Sequence, residues 1–330
     1  MSYVLGGSHG ESNAFEKTIA GFALKAVHES TGLVTTTTVV NPTQGDTFVI
    51  PSFAPITYQD YNPAATTGSV SGDADEQNPA MTQRSIIATP AVAATAFDVF
   101  LGWTTSFPLA AALGEELGQS FGEKVDQRVA ASFTSFKASP SNTMITPTPV
   151  DGAARPTALG AMELLKSGST AAAGDTAGFT SFTVLELIRN IKQNWKRSRL
   201  PGNPMIILDT DRTMSRLLGE LTGGAVNNNL SDLGNELLRT GSISNIYGCS
   251  VMFSTFLPTS SRSVRGGAAE TVSVGAYYSD QAIYTVLKQD LMIKTGEKPG
   301  GLQNWLTGMG FFGSGVADQR RGGAINIELA

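Results

Sequence analysis

Few residues of this chain could do chemistry, and their spacing argues against it. Only two histidines exist, His9 in a Gly/Ser-rich start and His28 at the end of an expected helix. The single cysteine, Cys249, has no histidine near it in sequence and reads as a small buried hydrophobe. Gly6-Gly7-Ser8-His9-Gly10 lacks the lysine and the preceding strand that a phosphate-binding loop requires. Asp209-Thr210-Asp211 has a spacing that could hold a divalent cation. It also stands where an apolar strand pattern gives way to a helical one. There the carboxylates satisfy free backbone N–H groups and suit the helix dipole, so capping is their expected role. Arg189, Lys192, Lys196, Arg197 and Arg199 form a basic run at helical spacing that could touch nucleic acid. Its first reading is a solvated helix face, or a partner for acids on a neighbour. The same holds for Arg262, Arg265, Arg320 and Arg321 in Gly-rich segments. No catalytic residue, metal ligand or cofactor site is expected.

Composition points the same way. The 330 residues suffice for about two domains with a sizeable core. Charged residues make up only 15%, with 36 glycines and many Ala, Ser and Thr in their place. Small polar surface of low charge suits a protein covered by neighbours. A net charge of −5 argues against a dedicated nucleic-acid binder. One cysteine excludes an intrachain disulfide and fits a reducing compartment. The start has no basic segment followed by an apolar run, so no secretory signal is expected, and no uninterrupted apolar stretch is long enough to span a membrane.

The elements come in an informative order. Asn13 to about Glu29 predicts a helix, with Asn13 and Glu16 at capping-box spacing and an apolar stripe that includes Phe15, Ile19, Phe22 and Ala23. Such a helix must dock on something. From about Gly32 to Phe100 the pattern predicts a long two-stranded ribbon around a polar loop at 57–83. Its tip carries Asp60, Asp73, Asp75 and Glu76 against Arg84 alone. A lone hairpin is marginal in water, so a long one implies outside support, and an acidic tip invites a basic patch on an adjacent copy. A long helix is predicted from about Leu109 to Phe136, with Leu109, Leu113, Leu117, Phe121, Val125, Val129 and Phe133 every four residues. At 3.6 residues per turn that stripe drifts round the axis and meets different neighbours along its length. Gly114, Gly118 and Gly122 form a parallel row, which predicts close backbone approach by a packed element. A short helix is expected around Ala158–Leu165, and a capped one from Thr183 with Glu186. The strand Met205–Asp209, a helix at 210–221, a helix around Leu233–Thr240, the strand Cys249–Phe253, a loop at 259–268 and the strand Thr271–Tyr278 follow. Strands and Gly-rich turns close the chain from Leu291 to Leu329.

This order resembles the major capsid protein of tailed bacteriophages, the Hong Kong 97 fold, and looks closest to those of short-tailed phages. Ile207-Leu-Asp-Thr-Asp-Arg-Thr-Met-Ser-Arg-Leu-Leu218 is similar to that family's strand–Asp-x-Asp–helix step. Thr240-Gly-Ser-Ile-Ser-Asn-Ile-Tyr-Gly-Cys-Ser-Val251 is similar to its Gly-x-Ile-x-x-x-x-Gly-Phe-x-Val turn into a strand. Ala317-Asp-Gln-Arg-Arg-Gly-Gly-Ala-Ile-Asn-Ile327 resembles its closing strand. The resemblance covers nearly the whole chain.

The resemblance implies an α+β fold with an N-terminal arm (1–35), an extended β-hairpin loop (36–92), a peripheral domain with the spine helix (93–181), an axial α/β domain (182–286) and closing strands of the peripheral domain (287–330). It implies a non-enzymatic shell protein, assembled in the host cytoplasm and located in the virion. Pentamers and hexamers of the chain would enclose double-stranded DNA contacted without sequence specificity. A portal protein would occupy one vertex, with scope for a decoration or cement protein. Some members cross-link a loop lysine to a neighbour's asparagine; here no lysine lies between Lys25 and Lys124, so that chemistry is not expected. Only a dozen residues precede the arm helix, so a separate scaffolding protein is expected. The candidate inter-subunit residues are Phe15, Ile19, Phe22, Asp73, Asp75, Glu76, Arg84, Gly114, Gly118, Gly122, Arg189, Lys192, Lys196 and Arg197. Two other readings compete: an encapsulin-type nanocompartment shell on the same fold, and a small-molecule enzyme using the strand–helix step at 205–222.

Overall fold

A computed structural model of the chain describes residues 19, 22–23, 25–26, 32–42, 45–53, 81–98, 109–139, 158–166, 179–222, 245–264, 269–297 and 303–329. Contacts divide the chain into two units. One comprises Met1–Phe48, Ile86–Ser132 and Ile283–Gly315; the other comprises Val49–Ser85, Phe133–Ala282 and Val316–Ala330.

The first unit is built on a long helix, α1 (Leu109–Ser132), and a four-stranded sheet. The sheet contains β1 (Thr38–Val40), β4 (Thr89–Asp98), β12 (Ile283–Glu297) and β13 (Gln303–Val316), in the order β1-β12-β13-β4. β1 runs parallel to β12, with Thr38 opposite Tyr284, and β4 runs antiparallel to β13, with Thr89 opposite Phe312. The drifting stripe of α1 meets successive neighbours, as the four-residue spacing requires. Leu117 packs with Ile19 and Leu306, and one turn on Phe121 and Val125 pack with Phe312. Phe121 and Phe312 meet edge to face, 5.2 Å between centroids. Arg128 lies 4.1 Å over the Phe312 ring and donates to the carbonyls of Thr89 and Phe312 at 2.7 and 2.6 Å, tying the helix to β4 and β13. The helix ends at Ser132, and Phe133–Ser135 continue it as a single 3-10 turn.

The second unit holds an eight-stranded sheet. Its members are β5 (Met162–Leu164), β6 (Thr180–Ser181), β7 (Met205–Asp209), β8 (Asn245–Ile246), β9 (Cys249–Ser254), β10 (Thr259–Ser263), β11 (Ala269–Tyr278) and β14 (Gly322–Glu328). They follow the order β6-β5-β14-β11-β7-β9-β8, with β10 paired to β11. Helices α2 (Val184–Arg197) and α3 (Ser215–Thr222) accompany it. α2 buries Val184, Leu187, Ile188, Ile191 and Trp195 in a core shared with Leu164, Ile206, Leu208 and Ile325. Thr183 caps α2 by accepting the Glu186 N–H at 3.1 Å, as the sequence predicts. The Glu220 carboxylate of α3 accepts two further free N–H groups of α2, from Val184 at 2.9 Å and Leu185 at 3.0 Å.

Among the described residues, strands β2 (Thr47–Phe53) and β3 (Met81–Ile87) pair only with each other. The ribbon is thus shorter than predicted, because β1 and β4 are drawn into the four-stranded sheet by β12 and β13. Two further expectations are corrected. Residues 162–164 form strand β5 rather than part of a helix, because parallel pairing with β14 (Met162 opposite Ile325) buries all three side chains. Residues 259–263 form strand β10 rather than a loop, paired antiparallel to β11 from Thr259–Ser273 to Ser263–Ala269. The expected helix around Leu233–Thr240 lies outside the described residues.

Candidate assembly surfaces

The arm is seated on the spine by the glycine row. Ile19, Phe22 and Ala23 are helical, with Ile19 and Ala23 buried and Phe22 37% exposed. A Cβ added to Gly114 would lie 2.7 Å from the Ile19 carbonyl oxygen and 2.9 Å from Phe22 Cβ. One added to Gly118 would overlap the Ala23 carbonyl. The close approach predicted for the row is therefore made by the chain's own arm. Gly122 is also buried, and Phe15 lies outside the described residues.

A second device holds the segment that follows the arm. Asp126, buried on α1, accepts N–H groups from Gly32 at 2.9 Å, from Leu33 at 3.2 Å and from Val34 at 3.3 Å. One carboxylate thus serves three backbone donors of a turn far away in sequence. Burial raises its pKa above the usual 3.8, against the lowering effect of the N–H groups. Nothing in the sequence signals this contact, because a lone Asp in an amphipathic helix normally faces water.

Strand β4 is the last strand of its sheet and carries much exposed apolar surface. Val92 is 65% exposed, and Ile87, just before it, is 57% exposed. Val49 and Met81 on β2 and β3 are about half exposed. A long, charge-poor edge of this kind suits cover by another chain. Arg84 is half-buried on β3, whereas Asp73, Asp75 and Glu76 lie outside the described residues.

The basic run lies on one helix, α2, and its surroundings. Arg189 is 3.9 Å from Glu186, Lys192 donates to Asn203, and Lys196 and Arg197 are exposed. The helix ends in a left-handed cap: the Arg199 N–H meets the Lys196 carbonyl at 3.0 Å and the Leu200 N–H meets that of Trp195 at 3.3 Å. Beside it, Tyr247 and Gly248 form the two-residue turn between β8 and β9. Tyr247, half exposed with φ 52°, was not singled out from the sequence, since a tyrosine normally marks a strand.

Two of the chemical candidates, Asp209 and Cys249, are taken up within the fold, whereas His9 and His28 lie outside the described residues. Asp209 caps the turn after β7, accepting the Asp211 N–H at 3.1 Å, and pairs with Arg212 at 2.6 Å. Cys249 is buried, and burial pushes its thiol pKa up against the smaller effect of Lys192.

No family profile and no curated protein sequence matches the chain. Solved structures do. The chain resembles the capsid subunit of the cyanophage P-SCSP1u over 89% of its own length and 87% of the other, with a TM-score of 0.59 at 16% identity. It resembles that of the mature capsid of bacteriophage PhiM1 over 91% and 88%, with a TM-score of 0.60 at 15% identity. A virus-like particle from Pyrococcus furiosus matches over 95% and 99%, with a TM-score of 0.52 at 11% identity. Likeness at such identities is likeness of fold, and the fold is the Hong Kong 97-type capsid fold that the order of elements implied.

Proposed function

We propose that this chain is the major capsid protein of a tailed phage and that its copies tile a closed icosahedral shell around double-stranded DNA. The observation that carries the reading is the end-to-end likeness to phage capsid subunits, close to nine-tenths of each chain. The exposed apolar edge formed by Ile87 and Val92 supports it, because a free monomer would leave that edge open. In this reading the arm (1–35) and the extended loop (36–92) help join copies into pentamers and hexamers. The role is structural, with no reaction to catalyse. Assembly in the host cytoplasm, a separate scaffolding protein, a portal at one vertex and a decoration protein are further parts of the proposal.

A nanocompartment shell on the same fold is the second reading, and it is the less supported one: the virus-like particle from Pyrococcus furiosus is matched over 99% of its chain but with a TM-score of 0.52, below those of the two phage capsids. One experiment separates the two. Particles purified from producing cells are imaged by negative stain, treated with nuclease and then opened. Isometric shells with protected double-stranded DNA are expected. Shells filled with a protein cargo would support the second reading, and a protein that never forms shells would sink both.

A further inference from the structure

Two residues other than glycine hold a left-handed backbone among the described ones, Arg199 at φ 55° and Tyr247 at φ 52°. Glycine is the usual occupant of the first position, after a helix cap, and Asn or Gly of the second, at the start of a two-residue hairpin turn. Both side chains are exposed, so core packing does not explain why larger residues stand there. The two positions share a neighbourhood. A Cβ on Gly248 would lie 3.3 Å from Asn203 Nδ2 and 3.6 Å from Lys192 Nζ, so the Tyr247–Gly248 turn stands at the tip of Lys192. Arg199 closes the same helix, four residues before Asn203. Strained exposed residues of this kind persist where something outside the fold uses them, and Tyr and Arg are the side chains that most often anchor interfaces.

The charge of this surface is unanswered within the described residues. Lys196, Arg197 and Arg199 have no carboxylate partner there. Glu115 and Glu116, exposed on α1, have no cationic partner there either. One chain thus displays a basic face and an acidic face, both open.

We infer that the α2 face formed by Lys196, Arg197, Arg199 and Tyr247 docks against Glu115 and Glu116 of a second copy of this chain. The inference rests on the proposed self-assembly and names a contact within it. The two faces differ, so the contact is heterologous. Contacts of that type repeat head to tail and close into rings when the rotation permits, as capsomers require.

Charge reversal tests it on the full chain. Lys196→Glu with Arg197→Glu is expected to abolish closed shells while the subunit still melts cooperatively. Adding Glu115→Lys and Glu116→Lys to that variant is expected to restore shells. Intact shells after the first reversal would overturn the contact. So would a loss that the second reversal does not restore, or one restored instead by reversing Asp73, Asp75 and Glu76, which would assign the face to that acidic segment. Tyr247→Asn and Arg199→Gly supply an independent readout. Each is expected to raise the melting temperature of the free subunit and to lower that of the shell. Subunit and shell melting that shift together would make both positions purely structural and remove them from the contact. Wild-type shells assembled in parallel keep failure of this contact distinct from failure of the capsid reading.

Discussion

The backbone of Gly118 runs directly beneath the Ala23 carbonyl, with no room for a side chain between the spine helix and the arm. Gly118→Leu is therefore expected to expel the arm helix or strain α1. Overpacking of this kind costs about 1–3 kcal/mol. Thermal melts of the subunit, with protease cleavage near Ala23 as a local probe, measure it. Gly219 in α3 is the control, because nothing lies within 4 Å of the Cβ it lacks. Gly219→Ala is expected to stabilise by about 0.5–1 kcal/mol through lower backbone entropy in the unfolded chain. If Gly118→Leu melts like wild type, the arm does not depend on the glycine row.

Asp126 governs a pH-dependent part of the stability. Burial raises its folded pKa above the unfolded value near 3.8. The folded state therefore binds this proton more tightly than the unfolded state. The resulting contribution is fully present below the unfolded pKa and is lost as pH rises through the folded one. Asp126→Asn removes that slope. It also offers one oxygen instead of two to the N–H groups of Gly32, Leu33 and Val34, which costs about 1–3 kcal/mol for an unsatisfied buried donor. Urea melts of wild type and variant across acid pH are expected to show a gap that is widest at the acid end. A gap independent of pH would mean that Asp126 does not titrate differently on folding.

The fold was legible wherever local pattern and tertiary demand agreed. The Thr183 and Asp209 caps could be read from neighbouring residues because they are satisfied by neighbouring residues, and the stripe of α1 because its four-residue spacing is local even though its partners, such as Leu306 and Phe312, are distant in sequence. Strand β5 was missed because the alternation of Met162-Glu163-Leu164 spans only three residues, too few to tell a strand from part of a helix. It becomes a strand through β14, about 160 residues later. Strand β10 was missed because Thr-Ser-Ser-Arg-Ser looks like a loop until β11 supplies its ladder. The glycine row predicted a close neighbour, but its spacing could not name Ile19–Ala23 as that neighbour. Tyr247 became conspicuous only once its backbone angle was known.

The proposed shell is expected to be held without covalent links through the segment 36–92. No lysine lies between Lys25 and Lys124, so the loop has no amine to form an isopeptide bond. Particles boiled in detergent are expected to run as one band near 34.6 kDa. A ladder of multiples of that mass would show a cross-link from lysines elsewhere.

Arg262 provides the most demanding test of packing in the second unit. It is 5% exposed, and burial draws its pKa down. Its guanidinium donates to Asn326 Oδ1 at 3.1 Å and to the Thr134 carbonyl at 2.9 Å. Asn326 in turn donates to the Ala138 carbonyl at 3.0 Å. This relay links β10, β14 and the turn after the spine helix. A buried cation held by neutral acceptors is costly to strand. Asn326→Leu removes an acceptor but leaves the charge, so it is expected to cost about 1–3 kcal/mol or more. Arg262→Met removes the charge and takes one donor from each of the two acceptors. With both changes the stranded cation disappears, and a loss smaller than the sum is expected, with a coupling of about 0.5–3 kcal/mol. Denaturant melts of the four proteins in the cycle give that coupling directly. Strict additivity would mean that Arg262 and Asn326 stand side by side without depending on each other.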